Sequence, residues 1–281
     1  MSPKTATGIC KKMPAELSAD GSVQYSLQLG DDAEISLNDK LNSQITIEFA
    51  GAIQCIHCGR KTKKSFSQGY CFPCMKKLAQ CDQCIMSPER CHYDAGTCRE
   101  PEWADKYCMT DHYVYLSNTT AAKVGLTRGN QIPTRWIDQG AEQALPIYRT
   151  ATRQQAGFVE DALRQHIADK TNWRNMLKGS AAPIDLETLR DELREMTQSA
   201  LAEITERFGV SNITALESEK VIDLTFPVST YPTKITSFNL DKVPSAEGVL
   251  QGIKGQYLIF DTGVINLRKY TGYELTFTFS G

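Results

Sequence analysis

The sequence predicts an α+β protein in which a cysteine-rich module and an α/β segment are inserted between N- and C-terminal sets of β-strands. Three observations lead there. Apolar and polar residues alternate over 23–29 (V-Q-Y-S-L-Q-L), over 44–49 (Q-I-T-I-E-F) and again after Val221, as in half-buried strands. Nine of the ten cysteines fall between Cys55 and Cys108. Between these regions Ala156, Val159, Leu163 and Ile167 recur at helical spacing, and an acid-rich helical pattern covers 185–208.

In chain order this gives a β segment (1–52), the cysteine module (53–110), the α/β segment (111–178), an acidic helix (179–209) and a second β segment (210–281). The α/β segment reads as strands at 112–117 and 121–127, a short helix after Pro133, a strand at 144–149 and a helix at 152–168. The acidic stretch reads as one long helix closed by Gly209. F-D-T-G-V-I-N-L and K-Y-T-G-Y-E-L-T-F-T-F each read as strand, turn, strand. Each terminal strand set is small for independent stability, so the two are expected to pair into one small barrel or sandwich. Asp261-Thr262-Gly263 matches the nucleus of an aspartic protease, but no second D-T-G or D-S-G exists to share the proton. A hairpin turn is the better reading.

A formal charge of −2 and a pI near 6.1 give no global attraction to nucleic acid or anionic membranes. No apolar run approaches the roughly eighteen residues of a membrane span, and the N-terminus lacks the apolar core of a signal peptide. A cytoplasmic protein with no membrane partner is expected. Locally the charge is uneven. Phe49 to Cys81 holds no Asp or Glu while Arg60, Lys61, Lys63, Lys64, Lys76 and Lys77 are all present. The acidic 185–207 helix is the candidate contact for a protein partner.

Cys55-x2-Cys58 and Cys71-x2-Cys74, separated by twelve residues, form the paired knuckles that hold structural zinc. The basic loop between them, with Arg60, Lys61, Lys63 and Lys64, is suited to a phosphate backbone or is simply a solvated loop. Cys81 and Cys84 are a further C-x2-C, and any two later cysteines could complete a second site. The equal six-residue spacers favour Cys91 and Cys98, leaving Cys108 spare. These ligands suit zinc, and an iron–sulfur cluster is chemically open as well.

The segment 112–175 resembles the GIY-YIG nuclease superfamily. Tyr113-Val114-Tyr115 stands at the position of G-I-Y and Lys123-Val124-Gly125 at that of Y-I-G. Arg135, in P-T-R-W, matches the helical Arg, Glu160, in G-F-V-E, matches the Glu, and Asn172 or Asn175 matches the Asn. The resemblance implies a phosphodiesterase in which Tyr115 acts as base, Arg135 steadies the phosphate, and Glu160 holds one Mg2+ or Mn2+. Lys123 and Arg128 add positive charge on that face. A carboxylate with water suits Mg2+, and a guanidinium can neutralise charge on phosphate oxygens. Two positions depart from the pattern, Tyr113 in place of the Gly and Lys123 in place of the second Tyr. Plainer readings stand beside these: Glu160 and Arg164 as a surface ion pair one helical turn apart, Tyr115 as a cross-strand packing residue, and Trp136 and Trp173 as core.

The chain as a whole is similar to an uncharacterised bacterial family defined only as a domain of unknown function, through C-I-H-C-G-R-K-T-K-K-S-F, G-T-C-R-E-P-E-W, K-V-G-L-T-R, P-T-R-W-I-D-Q-G-A and D-K-T-N-W-R-N-M-L. That similarity carries no activity. The expected function is a nucleic-acid-binding zinc protein, with GIY-YIG-like cleavage of DNA or RNA leading. A non-catalytic binder and a zinc-stabilised protein scaffold are the alternatives.

Overall fold

The computed structural model describes residues 4–31 and 34–280. Strands from both ends of the chain build one six-stranded antiparallel sheet, in the order Lys4–Ile9, Tyr273–Phe279, Gln44–Ile53, Ser245–Lys254, Tyr257–Phe260, Val264–Asn266. The alternation in the last strand is literal: Tyr273, Leu275, Phe277 and Phe279 are buried while the residues between them are half-exposed. The terminal strand sets therefore pair, but the sheet stays open and no barrel closes. The physical reason lies in its edges. Lys4–Ile9 exposes half of its residues, and the outer edge of the three-residue strand Val264–Asn266 is occupied by the 236–238 segment, with Val264 N donating to the Thr236 carbonyl (2.8 Å) and Phe238 N to the Val264 carbonyl (2.9 Å), so the two edges do not pair. A smaller sheet of Ala15–Leu17, Val23–Leu27 and Ile35–Ser36 places Ala15, Val23, Tyr25 and Leu27 in the same core as Ile45, Ile47 and Phe277.

The second sheet runs Ile222–Asp223, Gln143–Thr150, His112–Asn118, Ala122–Arg128, with Ile213–Ala215 also paired to Gln143–Thr150. The segment after Gly209 is thus divided, its first strands joining the α/β sheet and its last the six-stranded one. The helix Arg153–Leu163 lays Ala156, Val159 and Leu163 on Val114, Leu116, Val124 and Ile147. It ends earlier than its apolar spacing suggests, because the chain beyond it turns so that the Ala168 carbonyl accepts from Val124 N at 2.9 Å.

The acidic stretch forms two helices, Leu186–Met196 and Gln198–Phe208, instead of one. Thr197 sits between them, with its hydroxyl donating to the Leu193 carbonyl at 2.6 Å, a back-bond that bends a helix. Leu186 and Leu193 belong to the α/β core, so the apolar face of the first helix is already committed within the chain.

A buried ion pair joins the two halves. Lys254, fully buried at the end of its strand, donates to Glu142 and to the Gly179 carbonyl (3.2 Å), with the Phe226 and Tyr231 rings 5.6 and 5.4 Å away. The D-T-G stretch is the turn of the hairpin between Tyr257–Phe260 and Val264–Asn266, and Asp261 Oδ1 accepts from Val249 N at 2.8 Å. No helix among the described residues is long and apolar enough to cross a membrane.

Candidate functional site

The first cysteine cluster grows from the six-stranded sheet. Gln54 N, just past the strand Gln44–Ile53, donates to the Gly272 carbonyl at 2.7 Å, and Ile56 N donates to the Gly69 carbonyl at 2.9 Å. Cys71 then caps the short helix Phe72–Lys77, whose Pro73 suits its first turn. These constraints bring Cys55, Cys58, Cys71 and Cys74 together with every Sγ within 4.8 Å of the others. Cys58 and Cys71 stand 3.8 Å apart, which matches the edge of about 3.8 Å for a tetrahedron with Zn–S bonds of about 2.3 Å. The four cysteines fit a metal such as Zn2+.

The electrostatics agree with a cation site. Burial opposes ionisation of Cys55, but the backbone N–H groups of Cys71, Cys58 and His57 outweigh it and bring the thiol down to about 6. Cys74 is pushed up to about 12, by loss of solvent first and then by the neighbouring sulfurs. Thiolates this close repel one another, and a dication removes the conflict. Arg60, Lys61, Lys63 and Lys64 are all exposed, and Arg60 sits with its charge beside Cys58.

The later cysteines separate. Cys84 joins Asp82 and His92, with one ligand atom from each within 4.8 Å of the others, and the Cys91 thiol interacts directly with Cys84. Cys81 turns instead toward Ser67, Arg99 and the Cys55 side. Cys98 lies close enough to the buried Cys108 to add to the rise that burial gives its thiol pKa. Of the four cysteines expected to form the second site, only Cys84 belongs to a group within 4.8 Å among the described residues; Cys81, expected from the C-x2-C pair, and Cys91 and Cys98, expected from the equal spacers, do not. Sequence spacing does not encode that Asp82 and His92 flank the thiols.

On the α/β segment, Tyr115, Lys123, Arg135 and Glu160 come together. Tyr115 lies opposite Gly125 in the hairpin, is fully buried and donates from its hydroxyl to Gln139 Oε1 at 3.1 Å. Burial raises its pKa above the usual phenol value, with Arg135 opposing and Glu160 adding to the shift. A phenol so enclosed is poorly placed to take a proton from water. Lys123 is also buried, donates to Thr171 Oγ1 at 2.7 Å, and has its pKa lowered to about 8 by burial and then by Arg135. Glu160 is half-buried, and burial raises its carboxyl to about 7, with Asp169 adding while Arg153, Arg135 and Arg164 oppose.

Arg128 stands apart from this group, its guanidinium 4.7 Å from the centre of the Tyr107 ring. Arg164 pairs with Asp161 and not with Glu160. Asn172 is exposed and accepts from Asn175 N at 3.3 Å as the cap of the helix Trp173–Met176. Trp136 is core, edge-on to Tyr115, and Trp173 stacks on Tyr257 at 5.5 Å.

Three residues of this group escape the sequence reading. Arg153 opens the Glu160 helix behind the capping box of Thr152 and Gln155, and its buried Nε has no hydrogen-bond partner among the described residues. Its seven-residue separation from Glu160, two turns along one helical face, is the signal that could have found it. Thr171 and Asp169 follow the helix in an irregular stretch and carry no periodic signal. A search of the curated proteins and a search of the solved structures each found no match. A family model described as "Protein of unknown function (DUF2797)" matches residues 42–275, taking in the cysteine clusters, the α/β segment and nearly all of the C-terminal strands, and the chain belongs to that family.

Proposed function

We propose that this is a zinc-stabilised phosphodiesterase of GIY-YIG type acting on DNA or RNA, for which a cytoplasmic location is apt. The observation that carries the reading is the convergence of Lys123, Arg135 and Glu160 around the Tyr115 hairpin, with Glu160 drawn partly out of water. Asp169 disfavours the charge on Glu160, and a dication between a carboxylate and water would relieve this. Glu160 would hold Mg2+ or Mn2+, which when bound supplies charge neutralisation at the phosphoryl group.

The exposed Arg135 guanidinium engages a phosphate oxygen. Lys123, fixed by Thr171, holds positive charge behind it. Tyr115 acts as a positioning residue, its hydroxyl fixing Gln139 at the floor of the site. Arg60, Lys61, Lys63 and Lys64 on the zinc knuckle extend the grip on the backbone, as one class of contact that carries no sequence information. The test is divalent-metal-dependent cleavage by the wild type that is lost in Glu160→Ala.

One observation favours a second reading, a protein that grips phosphate without cutting. Lys123 occupies the place of a second phenol, and its ammonium is engaged by Thr171. In that case nucleic-acid affinity falls steeply with salt and survives Glu160→Ala.

A further inference from the structure

We propose that Asp82, Cys84, Cys91 and His92 form a second metal centre, of zinc type, that clamps the loop on which the Glu160 helix is seated. The ligand atoms of Asp82, Cys84 and His92 lie within 4.8 Å of one another, and Cys91 adjoins Cys84. Thiolate, imidazole and carboxylate together are a donor set for zinc.

The hydrogen bonds around His92 point to a cation. The Thr97 hydroxyl lies 2.8 Å from His92 Nδ1 and 3.3 Å from the His92 carbonyl, so it can accept from Nδ1–H while donating to the carbonyl. That tautomer turns the lone pair of Nε2 toward Asp82 Oδ2, 3.4 Å away. A positive charge between the two suits this arrangement, either a proton on the imidazole or a metal ion shared with the Cys84 thiol. Thr97 and Arg99, whose Nε lies 2.8 Å from Asp82 Oδ2, orient the ligands as outer partners do in metal sites.

The two ligand pairs bracket residues 85–90, and that loop is the seat of the helix Arg153–Leu163. Arg153 Nη2 donates to the Ile85 carbonyl at 2.8 Å and Gln154 Nε2 to the Cys91 carbonyl at 3.0 Å. Gly157 lies on the loop itself, where an added Cβ would stand 2.7 Å from Glu89 N and from Pro88 Cβ. A metal that ties both ends of the loop fixes the helix, and Glu160 with it. The metal centre stands without the phosphodiesterase reading, and only its consequence for cleavage rests on that reading.

The test is zinc content of the full-length protein by elemental analysis, combined with hydrogen exchange over 153–163. The wild type is expected to hold two zinc ions per chain, Cys84→Ser/His92→Ala one, and His92→Cys, which keeps a zinc ligand, two again. Loss of the second ion is expected to speed exchange in the helix by about tenfold, a local opening that leaves the six-stranded sheet protected. One zinc in the wild type, or two in Cys84→Ser/His92→Ala, would overturn the centre and leave His92 and Asp82 as an ion pair. Loss of the ion with unchanged exchange in the helix would overturn the clamp. Neither result depends on whether the protein cuts nucleic acid.

Discussion

The Tyr115 ring fills the space that a side chain at Gly125 would need: a Cβ there would stand 2.7 Å from Tyr115 Oη and 2.8 Å from Cζ. The two residues are direct cross-strand partners, so the glycine lets the phenol lie flat across the hairpin and reach Gln139. Gly125→Ala is expected to destabilise the protein by about 1–3 kcal/mol through overpacking. In a Tyr115→Ala background the same substitution should cost almost nothing. Urea unfolding of the double-mutant cycle measures this, and additive costs would contradict it.

The Lys254–Glu142 pair should behave as a buried ion pair between the halves of the chain. Lys254→Ala leaves Glu142 in an enclosed site and is expected to cost about 3–5 kcal/mol. Lys254→Met combined with Glu142→Gln removes both charges and keeps an acceptor for Ala181 N, which Glu142 Oε2 holds at 2.9 Å. That double variant should lie within about 1 kcal/mol of the wild type.

His112 gives the protein an acid-side stability loss. It is fully buried, its Nδ1 lies 2.7 Å from the Thr110 carbonyl, and its Nε2 has no partner among the described residues. Burial, with Arg153 and Arg128 adding and the Thr110 carbonyl opposing, lowers its pKa from 6.5 to about 4. The unfolded chain therefore takes up a proton first as pH falls. Stability from this group is complete above pH 6.5 and declines toward pH 4, by about 1.4 kcal/mol per pH unit at most. Between pH 7 and 5 the wild type should lose roughly 2 kcal/mol more than His112→Gln. Equal losses would show that other groups carry the acid sensitivity.

Zinc removal should act first on the knuckle and not on the whole fold. The six-stranded sheet has its own apolar core, to which residues 55–74 contribute no side chain; beyond the cysteine cluster they are tied to it mainly by hydrogen bonds such as Thr62 N to the Ile53 carbonyl, Ser65 Oγ to the Thr271 carbonyl and Arg268 Nε to Gln68 Oε1. Chelation, or Cys58→Ser/Cys74→Ser, is expected to unprotect 55–74 in hydrogen exchange while Tyr273–Phe279 stays slow. Simultaneous loss in both regions would mean that the metal supports the fold globally.

Much of this was legible in the chain. Alternation marked the strands containing Ile45, Ile47, Leu275 and Phe277, and the C-x2-C pairs marked the first cluster. The hairpin was legible because Gly125 and the apolar runs around it obey strand periodicity. What was not legible depends on distant packing. An open sheet and a barrel have the same local pattern, and what separates them here is the exposed edge at Lys4–Ile9 and the cover that 236–238 gives to Val264. The break at Thr197 comes from one hydroxyl choosing the Leu193 carbonyl. The grouping of Cys84 with Asp82 and His92 follows from 3-10 turns and a loop pinned by Arg153, none of which has a periodic signature.

Whether the Glu160 site cuts is tested most directly by cleavage of end-labelled single- and double-stranded DNA and RNA with Mg2+ or Mn2+, by wild type and Glu160→Ala side by side. Metal-dependent cleavage by the wild type alone is expected, with Glu160→Ala still folded and still binding. Salt-sensitive binding with no cleavage by either protein would contradict catalysis and leave the non-catalytic binder. Equal cleavage by both would contradict the role assigned to Glu160.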